Sequence, residues 1–545
     1  MRAVSSFVLA TLATSAFATW DPYLCNGAVP LEQTSLKVQT TSGTLIGHQA
    51  SNRSYVTEFL GIRYAEAPVG ELRFAAPKKY VAPAGTVFDA SEWVSSPPVD
   101  CPSNKLPVSA FPNFTQPSGL RIWENFAAQN SNPASEDCLK LNVWTKNPGN
   151  TKAKKPVLLF LHGGRFQIPG PHSPFYNGQY LSDAQDVVVV TPNYRLGIFG
   201  FAGAPGVEAN AALRDHRVVV EWVRDNIASF GGDPARIVIF GQSAGGASVD
   251  YWPFAHQKDP IVSGLIPMSG TSLSFLPNTK EYSQSLWYNV SQAVGCGGPN
   301  DDAAAVLSCV RSRDTSVLLA AAAQVSPLPS QALNQASFHP TVDNITVFAD
   351  YEQLLVSGAF AKIPVLAGNT DHEDGLYRIS GWDARLNFTD AQWSLYAQRA
   401  FTCPTAYSTD YRVQHGVPTW RYRYHGDWDN LRLYNGTAGL GLRGSAAYHG
   451  IDLSIVFGTA EDVSGVKNTP VEDATIKYIQ GAWAGFARDS KYGLLKYGWP
   501  AYNKNGKTLV QLAYDNNPNP KFVSPALYDS PCPAKNDPLP GRGAF

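Results

Sequence analysis

The chain is predicted to fold as an α/β protein around a mostly parallel sheet, and three features of the sequence predict it. Apolar runs of strand length recur between stretches of helical periodicity through most of the chain. One of them, residues 156–161, is apolar at every position, as a strand buried on both faces requires. Another, residues 236–240, runs directly into Gly241-Gln242-Ser243-Ala244-Gly245-Gly246, a strand followed by a tight turn and a helix start made of small residues.

Residues 1–18 combine a basic start, a short apolar region and a small-x-small end at Ala16-Phe17-Ala18, the pattern of a secretory signal cut after Ala18. The apolar run is too short to span a membrane, and one domain is expected over 19–545. Residues 36–64 alternate and are rich in Thr, Val and Tyr, which reads as antiparallel strands at a sheet edge. The stretch 82–136 is a Pro/Asn/Ser-rich loop, the part between Cys101 and Cys138 is the candidate for a lid, and strands are expected at 139–144, 156–161 and 187–191. A helix is expected over 211–230, because Val218, Val219, Trp222, Val223 and Ile227 share one face. After the serine turn come a strand at 265–268 and an Ala-rich helical stretch, about 280–335, that interrupts the alternation and is read as a cap insertion. Strands at 363–367 and 419–424 and helices at 393–400 and 471–488 complete the pattern.

With 43 basic and 44 acidic residues and no long charge runs, nothing marks the chain for nucleic acid or an anionic membrane. No segment is long and apolar enough to span a bilayer. Seven cysteines in a secreted chain argue for disulfides. Cys296 with Cys309 and Cys101 with Cys138 flank polar loops and are expected to pair; of the remainder, Cys403 is matched with Cys532, leaving Cys25. No Cys/His spacing resembles a metal site, and no cofactor is implied. Asn-x-Ser/Thr acceptors for glycans occur at Asn52, Asn113, Asn289, Asn344, Asn387 and Asn435.

A serine hydroxyl attacks well only with a base in reach, an acid to orient the base, and donors preset for the oxyanion. Ser243 stands at the turn that would expose such a hydroxyl. Upstream, His162-Gly163-Gly164-Arg165-Phe166 follows the buried strand at 156–161, where the first oxyanion amides belong; the amide of Ala244 would add another. Downstream, the loop 368–375 holds three carboxylates, Asp371, Glu373 and Asp374, of which Glu373 is the candidate acid. His449 is the candidate base, with His372, His415 and His425 as alternatives.

Further motifs settle these choices. Asn193-Tyr194-Arg195-Leu196-Gly197-Ile198-Phe199-Gly200-Phe201, Phe230-Gly231-Gly232-Asp233-Pro234 before the serine turn, Phe59-Leu60-Gly61-Ile62-Arg63-Tyr64-Ala65 and Ser135-Glu136-Asp137-Cys138-Leu139 together resemble the type-B carboxylesterase family of cholinesterases and secreted fungal lipases. The resemblance runs from about Leu36 to at least Gly458 and implies an α/β-hydrolase fold and hydrolysis of small-molecule or lipid esters. It implies Ser243 as nucleophile, Glu373 (four before the aromatic Tyr377) as acid, His449 as base and Ser269 as the acid's support. It also implies the pairs Cys101–Cys138 and Cys296–Cys309 and half of a third pair at Cys403. Within the family a lipase, an esterase for sterol or aromatic esters, or a non-catalytic binding protein are the alternatives, and the complete set Ser243, Glu373, His449 argues against the last. Such a triad also serves amidases and peptidases.

The sequence departs from the family at Arg165, where a third glycine is usual. Its amide remains available, but a long side chain is strained if the loop needs φ above zero. The simpler expectation is that this side chain points away from the pocket; the alternative is that its guanidinium lines the acyl side and favours acids bearing a carboxylate or phenol.

Overall fold

The computed structural model describes residues 36–90, 99–104, 109–127, 132–327, 335–436 and 444–533. The expected signal segment and Cys25 lie outside them. Fourteen strands are described: β1 Lys37–Thr40, β2 Gly43–Ile46, β3 His48–Gln49, β4 Thr57–Arg63, β5 Val87–Asp89, β6 Lys140–Thr145 and β7 Lys155–Leu161. They continue with β8 Val188–Pro192, β9 Gly232–Gln242, β10 Gly264–Met268, β11 Val365–Thr370, β12 Thr419–Tyr424, β13 Leu509–Leu512 and β14 Lys521–Val523.

Eleven of these form one sheet in the order β14-β13-β12-β11-β10-β9-β7-β8-β6-β4-β3. From β8 to β13 all neighbours are parallel, and antiparallel pairing is confined to the two margins. This is the α/β-hydrolase architecture expected. One correction concerns the N-terminal strands: β1, β2 and β5 form a separate three-stranded sheet, and only β3 and β4 join the margin of the large one. The pairs β13 and β14 have no counterpart in the sequence reading.

The sheet is buried on both faces because its strands are apolar at consecutive positions. Val157, Leu159 and Leu161 pack into one core and Leu158 and Phe160 into the other, and β9 divides in the same way, Ile237 and Ile239 from Val238 and Phe240. The helix Ala211–Asn226 covers the first face through Val218, Val219, Trp222 and Val223. The helix Pro470–Arg488, opened by a Thr469/Glu472 capping box, covers the second through Ile476, Ile479, Trp483 and Phe486. Each such large apolar side chain contributes about 1.5–3 kcal/mol when fully buried.

The stretch read as a cap holds three helices, Lys280–Ala293, Ala303–Arg311 and Thr315–Ala323. Disulfides join Cys101 to Cys138, Cys296 to Cys309 and Cys403 to Cys532. Among the glycan acceptors, Asn52, Asn289, Asn344, Asn387 and Asn435 are exposed, whereas Asn113 is half-buried with its amide nitrogen enclosed. No helix among the described residues is long and apolar enough to cross a membrane.

Candidate active site

The loops at the carboxyl ends of β7, β9, β10 and β11 meet above the sheet, where α/β proteins place their chemistry. Ser243 follows β9 at once, with φ 58° and ψ −121°, and heads the helix Ala244–Ala255. The tight turn is possible because glycines stand two positions to either side of Ser243. A Cβ on Gly245 would sit 1.9 Å from the Leu161 carbonyl oxygen, and one on Gly241 would sit 2.5 Å from the Gly245 oxygen. The Ser243 amide donates to the Met268 carbonyl at 2.9 Å, tying the turn to β10.

Glu373 is fully enclosed, and each of its oxygens has a partner. Oε1 accepts from the Ser269 hydroxyl at 2.7 Å and from the Thr370 amide at 2.8 Å; Oε2 faces His449 Nδ1 at 2.5 Å. Three donors on one buried carboxylate fix both its orientation and the ring it holds. The rival carboxylates are committed elsewhere. Asp371 is paired with Arg423 at 2.7 Å and lies near His425; although burial raises its pKa, the hydrogen bond from His425 and the Arg423 charge hold it well below the usual carboxylate range. Asp374 accepts from Arg378 at 2.8 Å. Among the rival histidines, His425 faces Asp371, His372 lies 3.9 Å from Asp374 and His415 meets the Val356 carbonyl at 3.0 Å.

The other nitrogen of His449, Nε2, lies 3.0 Å from the side-chain amide of Gln242 and forms no hydrogen bond to Ser243. Near the Ser243 hydroxyl stands the Tyr377 phenol, whose pKa burial raises well above its ordinary value, with the Arg165 charge acting the other way. Aromatic rings wall in the base: Tyr377 lies 5.1 Å and Phe401 4.8 Å from the imidazole, centroid to centroid. The sequence reading used Tyr377 only as a marker and missed Gln242 and Phe401. The one available signal was the position of Gln242, a polar residue ending an apolar strand beside the serine.

The loop after β7 presses on the turn, since a Cβ on Gly163 would lie 2.6 Å from the Gln242 carbonyl. The Tyr194 hydroxyl donates to the His162 carbonyl at 2.7 Å and its ring stacks on His162, while burial lowers the His162 pKa to about 4 and keeps that ring neutral. Gly164, Arg165 and Phe166 have φ of 94°, 57° and 58°. The amides of Gly164, Arg165 and Ala244 donate to no protein acceptor among the described residues. Positive φ at Arg165 meets the strain expected there, but the expectation that its side chain points away from the pocket is not met. The guanidinium carbon lies 5.7 Å from the Tyr377 ring centroid, on the ring that packs against His449.

Behind the base, Asp452 is almost fully enclosed. Its Oδ2 accepts from the Tyr422 hydroxyl at 3.2 Å and Oδ1 has no partner among the described residues. Burial, reinforced by the charge of Glu373, pushes its pKa up to about 7. No group of metal-ligating side chains occurs among the described residues.

Comparison with known proteins places this geometry in context. Residues 34–393 match the sequence model of the carboxylesterase family. The chain is 32% identical to the chlorogenic acid esterase of Aspergillus niger, over 88% of this chain and 90% of that one. It is 31% identical to secreted lipase 5 of Gibberella zeae, over 91% and 93% of the two chains. With the acetylcholinesterase of Bungarus fasciatus it shares 28% identity over 95% of this chain and 88% of the relative.

Proposed function

The chain belongs to the carboxylesterase family and is a serine carboxylic ester hydrolase; on that premise we propose how its residues divide the reaction. Ser243 attacks the carbonyl of a small ester as His449 Nε2 takes its proton. Glu373 holds the Nδ1 proton and steadies the imidazolium, and Ser269 fixes the carboxylate. The amides of Gly164, Arg165 and Ala244 receive the oxyanion. The alcohol leaves with the proton from His449, and water activated by the same nitrogen releases the acid and restores Ser243.

The observation that carries this reading is the buried chain Ser269–Glu373–His449, which ends at the serine turn while the other carboxylates of that loop, Asp371 and Asp374, are held by arginines. In the first step the Ser243 hydroxyl turns toward His449 Nε2, which releases the Gln242 amide. Catalytic hydrogen bonds of unliganded enzymes commonly tighten only when substrate arrives. The three disulfides and the exposed glycan acceptors support an extracellular setting, reached after removal of residues 1–18, with 19–545 acting as one domain and the helices from Lys280 as its cap.

Incubation with an organophosphate followed by peptide mapping tests the assignment. Label on Ser243, together with hydrolysis of 4-nitrophenyl butyrate that disappears in Ser243→Ala, is the expected outcome. A folded protein that hydrolyses the ester but carries no label at Ser243 overturns it.

A further inference from the structure

Many buried and half-buried arginines of this molecule are held by carboxylates: Arg63 by Asp137, Arg73 by Glu136, Arg195 by Asp215, Arg378 by Asp374, Arg412 by Asp250, Arg421 by Asp529 and Arg423 by Asp371. Arg165, beside the reactive serine, is not. It is half-buried, yet its guanidinium makes no ion pair or hydrogen bond among the described residues and meets only the face of Tyr377. A guanidinium carries five donors in a planar fork suited to a carboxylate, and leaving it unmatched inside a protein is costly.

Its surroundings indicate where the missing partner belongs. Arg165 separates two spaces. On one side lies a small void bounded by Ala244, Phe166, Tyr251 and Phe275, next to the reactive serine. On the other lies a cavity of about 260 Å³ with polar walls that include Asn104, Gln167, Gln335 and Ser337. Arg165 is the one charged residue among the described residues lining either space. The backbone adds a second observation: φ of 57° at a long side chain is an unfavourable conformation, of the kind that persists at functional sites.

We propose that Arg165 is a specificity residue that pairs with a free carboxylate carried by the substrate, so that the enzyme selects esters bearing such a group on the acid or on the alcohol. The proposal rests on the hydrolytic reading above. Its test compares kcat/KM for matched pairs. For the acid arm the pair is the monomethyl ester of adipic acid and methyl hexanoate; for the alcohol arm it is the butyrate ester of glycolic acid and ethyl butyrate.

Wild type is expected to favour the charged member of at least one pair by about ten- to a hundredfold, the range of a charge-assisted bidentate contact. The arm that shows the preference tells on which side the carboxylate sits. Arg165→Gln is expected to abolish the preference and Arg165→Lys to retain part of it. Any effect of substitution on the oxyanion amide falls on both members of a pair and cancels in the ratio. The preference should also fade below about pH 4, where the substrate's own carboxylate is protonated. Neutral esters hydrolysed in a Ser243-dependent way, with a ratio near one or unchanged in Arg165→Gln, overturn this proposal alone; no hydrolysis of any ester overturns it together with the reading of Ser243.

Discussion

Glu373→Gln isolates the role of the acid, because the structure fixes how the amide must sit. The Ser269 hydroxyl at 2.7 Å and the Thr370 amide at 2.8 Å both donate to Oε1. The glutamine oxygen will therefore take that place, keeping two hydrogen bonds, and the NH2 group will occupy the place of Oε2, 2.5 Å from His449 Nδ1 in the native protein. Two N–H donors cannot face one another, so the imidazole must carry its proton on Nε2 and present a lone pair to the amide. Such a ring cannot accept the Ser243 proton. A triad with its acid amidated in this way loses about 10⁴-fold in kcat, equivalent to about 5.5 kcal/mol of barrier. Stability should change little, since the Oε1 contacts survive. Steady-state hydrolysis of 4-nitrophenyl butyrate and a thermal melt together make the assay. A Glu373→Gln enzyme with wild-type Tm and kcat within tenfold of wild type would refute the tautomer argument.

Two further predictions concern stability. Asp452 has a folded-state pKa of about 7, raised by burial first and by the Glu373 charge second. Relative to an unfolded value of about 3.9, three units correspond to roughly 4 kcal/mol, fully present below about pH 4 and lost as pH rises through about 7; Asp452→Asn should flatten the fall in urea-unfolding stability between pH 4 and pH 8, and an identical slope in both proteins would contradict the assignment. The bond between Cys403 and Cys532 closes a loop of 129 residues, for which chain entropy gives about 5 kcal/mol. Replacing both cysteines by alanine should lower the Tm by several degrees, and an unchanged Tm would show that the loop is ordered without it.

What the sequence disclosed followed how local each feature is. The strand at 156–161 and the serine turn announce themselves because burial and the need for glycine act within a few residues. The carboxylates of the 368–375 loop illustrate the opposite case. Asp371, Glu373 and Asp374 look alike in sequence, and what separates them is which partners arrive from elsewhere: Arg423 from β12, Ser269 from the end of β10, and Arg378 one turn along its own helix. The contacts of Gln242 and of Tyr377 with His449 join residues far apart in number, so no spacing could reveal them. The direction of the Arg165 side chain depended on a backbone angle that its residue type argues against. The strands β13 and β14 escaped notice because they are short and lie at the sheet margin, where little alternation is imposed.

The link from Cys403 to Cys532 reaches further than its two sulfurs. Cys403 follows closely on Phe401, whose ring rests against His449. Around Cys532, Asp529 holds the enclosed Arg421 at 2.5 Å, and the Tyr528 ring lies 4.2 Å beneath the Arg423 guanidinium. The wall beside His449 is thus latched by a segment 129 positions further along the chain. Proteolysis upstream of Ala526 would strand one buried cation and uncover another, so a protease-sensitive linker does not belong before it.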